Sequence, residues 1–171
     1  MGSFSRFNVQ FSSSPPLASD TKVSFKLDHL SLLTYGLNIP VELSPAGALR
    51  KPSNPMQKTS IMVVMGHFDT GASSTSIDIN LARQLNLVPI GASTRQTAGG
   101  PHTTPDFYID LSFPGTDLRP FHNLKIGSCT LRYSAENGLD QRNFGILIGR
   151  DIMSRWNIVW NGPSSTVFIH D

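Results

Sequence analysis

The chain has 171 residues, enough for one domain with a core of its own. Fourteen Lys and Arg against twelve Asp and Glu leave a formal net charge of +2, and no basic cluster exceeds Arg50-Lys51, so the footprint of nucleic-acid binding is missing. The lone Cys129 excludes an internal disulfide, the five histidines lie without ligand spacing, and no stretch has the length of a membrane span. Neither a metal nor a cofactor is therefore expected, and no membrane partner. The opening residues lack the basic start and apolar core of a signal peptide. Met1-Gly2 is followed by Arg6 where a myristoylation motif carries Ser or Thr. With the single cysteine, these features point to an intracellular, cytoplasmic setting.

Along the chain the pattern is mostly β. Residues 4–11 alternate, with Phe7, Val9 and Phe11 on one face, and the Ser/Pro-rich residues 12–16 break the alternation. Val23, Phe25 and Leu27 resume it. Residues 1–30 are expected to form an N-terminal β-type extension, an added strand pair or a swapped arm, and residues 31–171 the main domain. Residues 37–43 predict a strand with Ile39, Val41 and Leu43 on one side. Residues 44–60, with Pro45, Gly47, Pro52 and Pro55, predict a long exposed loop. The apolar run Ile61, Met62, Val63, Val64, Met65 then predicts a strand over 61–68.

Residues 76–85 carry Ile77, Leu81 and Leu85 at helical spacing and predict a helix capped from 74–76. Phe107, Ile109, Leu111 and Phe113 alternate as a strand. Leu124 and Ile126, with Leu131 and Tyr133, predict a hairpin across Gly127-Ser128. A short helix is expected over 150–156, with Ile152, Met153 and Trp156 on its apolar side. Two last strands, 158–160 and 167–169, flank the turn Asn161-Gly162-Pro163.

The predicted strand 61–68 ends on Asp69-Thr70-Gly71-Ala72, which occurs once. An acid projecting from rigid backbone, then a small hydroxyl residue and a glycine that lets a second backbone approach, suits a pair of carboxylates sharing one proton and one water. The plainer reading is an Asp-Gly turn. The near match Asp20-Thr21-Lys22 lacks the glycine, so a chain with one acid needs a symmetric second copy to complete a pair. A second signal is the apolar strand Ile146-Leu147-Ile148, which runs into Gly149-Arg150-Asp151.

The two segments Asp69-Thr70-Gly71-Ala72-Ser73-Ser74 and Ile146-Leu147-Ile148-Gly149-Arg150-Asp151, in that order, resemble the retropepsins, the single-domain aspartic proteases of retroviruses and their cellular and bacterial relatives. The resemblance implies a mostly β, closed β-barrel-like fold with one or two short helices, working as a two-fold symmetric homodimer. It implies an aspartic endopeptidase in which Asp69 of each subunit activates a water. Thr70 bonds across the dimer axis, Gly71 lets the carboxylates approach, and Ala72 lies beneath an extended peptide substrate. Residues 97–100 stand where the family carries its flap, which places Ala98, Gly99 and Gly100 at the substrate; by position alone, Ile148, Ala98 and Phe107 are expected as pocket walls.

Arg150 and Asp151 brace the active-site loop on the same resemblance. The usual acid partner of the arginine falls at Ser73, which leaves Asp151, Asp78 or a carboxylate of the second subunit for Arg150. The terminal strands are expected at the dimer interface. The viral enzymes usually lack a helix at 76–85, whereas the bacterial and eukaryotic relatives resemble this chain there; the loop before the motif strand departs from the family, being far longer than a tight turn. His67 reads as strand alternation, Asp78 and Asp110 as ordinary acids. The alternative function is a catalytically silent retropepsin-like module that dimerises or binds peptides without cutting them.

Overall fold

A computed structural model describes residues 22–47, 60–97, 99–131, 133–137, 139–140 and 142–171. The strand expected over 4–11, most of the loop expected over 44–60, and Ala98 lie outside these residues. In chain order the elements are β1 (Lys22–Lys26), α1 (His29–Tyr35), β2 (Asn38–Pro45), β3 (Met62–Phe68), β4 (Ser76–Asp78) and α2 (Ile79–Gln84). There follow β5 (Gly91–Thr97), β6 (Gly100–Ser112), β7 (Phe121–Cys129), β8 (Phe144–Ile148), α3 (Arg150–Met153), β9 (Asn157–Asn161) and β10 (Thr166–His170). No helix among the described residues is long and apolar enough to cross a membrane.

Six strands close a barrel in the order β2-β3-β8-β4-β7-β6, and β6 returns to β2 through the pairs from Glu42↔Ser112 to Pro45↔Ile109. Period-two patterning explains the closure. Ile39, Val41 and Leu43 of β2, Phe107, Ile109 and Leu111 of β6, and Ile146 and Ile148 of β8 all turn inward and are 3% exposed or less. Each such side chain contributes about 2 kcal/mol by leaving water. The β2–β3 hairpin expected from the sequence forms over Asn38↔His67 to Leu43↔Met62 in spite of its long connection.

A second, three-stranded sheet runs β1-β10-β9. Val23 and Phe25 of β1 sit opposite Ile169 and Val167 of β10, and all four are buried. The boundary expected at residue 30 falls inside α1, and β1 pairs with β10 along its whole length. The outer strand β9 leaves Val159 and Trp160 about half exposed, at 47% and 51%.

Two expectations are corrected. The helix predicted over 76–85 begins only at Ile79, because residues 76–78 are extended and laddered to β7 and β8 through Ile77↔Ser128 and Ile77↔Ile146. Ile77, Leu81 and Leu85 are all fully buried, so the four-residue spacing marks a strand feeding a helix. The cap is Asp78, not a residue of 74–76: its Oδ1 accepts the Asn80 and Leu81 amides at 2.8 and 3.4 Å, while its Oδ2 takes the Leu131 amide at 2.8 Å. The hairpin predicted across Gly127-Ser128 does not exist either. β7 runs straight through both residues, and Gly127 is a strand position covered by the Arg95 guanidinium.

Because Asp78 holds both the start of α2 and the chain after β7, Asp78→Ala is expected to cost about 1–3 kcal/mol of folding free energy. Asp78→Asn, which keeps one acceptor, should cost less. Urea unfolding of the two variants against wild type checks the order.

Candidate active site

Asp69 leaves the barrel at the end of β3. That strand pairs in parallel with β8, and the last pair, Phe68↔Ile148, is prolonged one step by the Asp69 amide, which donates to the Ile148 carbonyl at 3.1 Å. Parallel pairing makes both strands end at the same level. The loop after Phe68 and the turn after Ile148 therefore emerge side by side.

The loop folds back on its own acid. Asp69 Oδ1 accepts the Gly71 amide at 2.7 Å, and the Ala72 amide donates to the Asp69 carbonyl at 3.1 Å. A Cβ on residue 71 would lie 3.0 Å from Asp69 Oδ1, so the glycine leaves room for this contact. Asp69 is half-buried, while Thr70 and Gly71 are exposed. The carboxylate thus sits at an open surface on tightly bonded backbone.

The turn from β8 locks the loop from beside it. The Arg150 amide donates to the Ala72 carbonyl at 3.0 Å and its Nη1 to the Thr70 carbonyl at 2.8 Å. The Gly149 amide donates to Thr75 Oγ1 at 3.1 Å, and that hydroxyl donates to Asp151 Oδ1 at 2.8 Å. Asp151 also takes the Thr75 amide, at 3.0 and 2.9 Å to its two oxygens, and the Ile152 amide at 3.0 Å. A Cβ on residue 149 would stand 2.5 Å from the Ser74 carbonyl carbon, so only glycine admits this approach.

The structure brings Asp69, Thr70, Gly71, Ala72, Arg150 and Asp151 together. Arg150 does not use either of its expected partners within the chain, since Asp151 is engaged by Thr75 and Ile152 and Asp78 by α2; it holds backbone carbonyls instead. Ile148 and Phe107, expected as pocket walls, are buried in the core at 0% and 3%. Thr75, fully buried and central to the clamp, is a residue that sequence reasoning passed over as one of three small candidates for a cap.

Gly99 and Gly100 lie at the turn of the hairpin β5–β6, which runs from Gly91↔Asp106 to Thr97↔Gly100, and Ala98 falls outside the described residues. Gly100 has φ +104°, where a side chain is strained. His67 Nδ1 contacts Asn38 Oδ1 at 2.6 Å and its ring stacks on Phe144. Burial lowers its pKa, against the opposing charge of Asp69. Burial and the Asp78 charge push the Cys129 thiol up to about 11, which leaves it a thiol rather than a nucleophile. Among the described residues no group of three His, Cys, Asp or Glu is placed to hold a metal ion. A concavity of about 460 Å³ is lined by Leu131, Tyr133, Asn137, Asp140 and Arg142 and contains none of the motif residues.

No protein-family model matches the sequence, and a search of curated proteins gives no match. Among solved structures the chain is similar to a retropepsin-like aspartic protease from Rickettsia conorii, at 14% identity and a TM-score of 0.47, over 89% of this chain and 92% of that one.

Thr75→Val keeps the shape of the side chain but removes the hydroxyl between Gly149 and Asp151. It is expected to cost about 1–3 kcal/mol, because the buried Gly149 amide loses its acceptor. Gly149→Ala should cost at least as much through the backbone clash. Ser73→Ala, at an exposed position, should stay within about 0.5 kcal/mol of wild type. Chemical denaturation of the three variants checks the ranking.

Proposed function

We propose that this protein is an aspartic endopeptidase, active as a homodimer in which two Asp69 carboxylates meet across a two-fold axis and activate one water between them. The observation that carries the reading is the Asp69 loop itself. Its acid is left half-open while the surrounding backbone is held by Gly149, Arg150 and, through Thr75, Asp151. An ordinary Asp-Gly turn has no use for such bracing, whereas a reacting carboxylate must be held to a fraction of an ångström.

The chemistry follows from a pair of carboxylates with one proton between them. The ionised member takes a proton from the water, whose oxygen attacks the scissile carbonyl carbon. The protonated member hydrogen-bonds the carbonyl oxygen and stabilises the charge that develops there. Collapse of the tetrahedral intermediate breaks the C–N bond, and the proton taken from water passes to the leaving amine. Thr70 and Gly71 would steady the pair, Ala72 would lie under the peptide, and Arg150 with Asp151 would hold the loop.

Two features support the dimer. The chain carries one such motif, and among the described residues β9 is the outer strand of its sheet, with half-exposed Val159 and Trp160. A substrate cleft would then form between two copies. The hairpin β5–β6, with Gly99 and Gly100 at its turn, would close over an extended peptide bound largely through its main chain.

Asp69→Asn nearly preserves shape and removes the ionisable oxygen, so peptide cleavage should fall by about 10³-fold or more with fold and dimer retained. Specific activity of the wild type should rise with concentration as dimer forms, and its pH profile should be bell-shaped on the acidic side, unaffected by chelators or thiol reagents. Cleavage that survives Asp69→Asn overturns the mechanism. A wild-type dimer that binds unfolded protein across the acidic range without cutting it would establish the silent module instead.

A further inference from the structure

Residues 91–97 and 99–105 overhang the barrel. Among the described residues β5 pairs with β6 alone, and the ladder between β6 and β7 starts at Asp106↔Gly127. A two-stranded ribbon is marginal by itself in water, so its root needs another hold.

That hold is a polar cluster across three strands. The Arg95 Nη2 of β5 donates to Asp106 Oδ1 of β6 at 2.6 Å, and its Nη1 reaches Thr104 Oγ1 at 3.2 Å and the Ser93 carbonyl at 3.4 Å. Asp106 is 2% exposed and also receives Ser93 Oγ and, at 3.2 Å, Lys125 Nζ of β7. The guanidinium lies on Gly127 so closely that a Cβ there would be 2.1 Å from Arg95 Cζ. A glycine within a continuous strand, filled from above by a side chain of the overhanging ribbon, is a built seat.

We propose that Arg95 is a positioning residue for substrate: seated on Gly127 and paired with Asp106, its guanidinium fixes the angle at which the β5–β6 hairpin leaves the barrel and so holds the hairpin ready to close on a bound peptide. The link to substrate rests on the peptidase reading above, while the seat itself does not. Burial alone would raise the Asp106 carboxyl, but the bonds from Ser93, Arg95 and Lys125 outweigh it and hold it at about 2, below the ordinary 3.8. A carboxyl held down in this way stabilises the fold fully above about pH 4 and loses that contribution as pH falls toward 2. The root therefore stays ionised through the mildly acidic range in which a carboxylate pair works.

The test compares wild type with Arg95→Ala, which removes the guanidinium, and Gly127→Ala, which keeps every charge and fills the seat. Amide hydrogen exchange is read on the full-length protein, and cleavage of an unfolded-protein substrate is measured alongside. In both variants the amides of 92–97, 100 and 102–104 should exchange about tenfold faster or more while β2, β3 and β8 keep their protection. KM should rise about fivefold with kcat within about twofold, since fewer molecules hold the hairpin ready to bind. Unchanged hairpin protection in the variants, or protection lost evenly over the barrel, overturns the seat. Faster hairpin exchange with an unchanged KM overturns the positioning role. A wild type with no Asp69-dependent cleavage fails the peptidase reading instead, and the exchange measurement alone then decides the seat. Gly127→Ala decides it should Arg95→Ala not fold.

Discussion

The parallel ladder between β3 and β8 is the constraint on which the site depends. Two strands distant in sequence end at one level, Phe68 beside Ile148, and the Thr70 and Ala72 carbonyls and the Thr75 amide and hydroxyl then find their partners in the turn after Ile148. Gly149 is the narrow point. Its missing Cβ admits the Ser74 backbone, which brings Thr75 under the Gly149 amide and onto Asp151. Buried backbone groups left unpaired are costly, so the loop has one low-energy arrangement, and the half-exposed Asp69 inherits its position from it.

Much of this was legible because short strings can be dictated by contact geometry. Gly71 is a glycine for a local reason, the approach of Asp69 Oδ1 two residues back, and the strands β2 and β6 show a period of two in their apolar residues because those residues face the core. Thr75 was not legible: a threonine in the run Ser73, Ser74, Thr75, Ser76 carries no mark of its role until Asp151 stands opposite it. Gly127 misled for a similar reason. A glycine in a turn and a glycine under an arginine look alike in sequence, and Arg95, which settles the matter, lies on another strand.

The residues 76–85 show the limit of periodicity. Ile77, Leu81 and Leu85 fit one helical face, yet Ile77 also fits a barrel strand, and the ladder to β7 and β8 wins because residues 76–78 gain inter-strand hydrogen bonds and full burial together. Helix geometry then resumes where Asp78 supplies a cap. Ile148 marks the complementary limit. Apolar residues beside a motif read equally well as pocket wall or core, and only its complete burial separates them.

The terminal sheet and the site are joined through aromatic rings. Trp156 stacks near Phe68, with centroids 6.3 Å apart, and meets Phe113 and Phe121 edge-on at 5.1 and 5.7 Å. Phe68 immediately precedes Asp69, and Trp156 immediately precedes β9. On the homodimer reading, the strand that would meet a second copy and the strand that carries the acid are fixed against the same buried ring. Close-packed aromatics yield little to strain. Docking two copies along β9 would then set how far apart the two carboxylates stand, and the separation of a proton-sharing pair would be a property of the interface as much as of the loop.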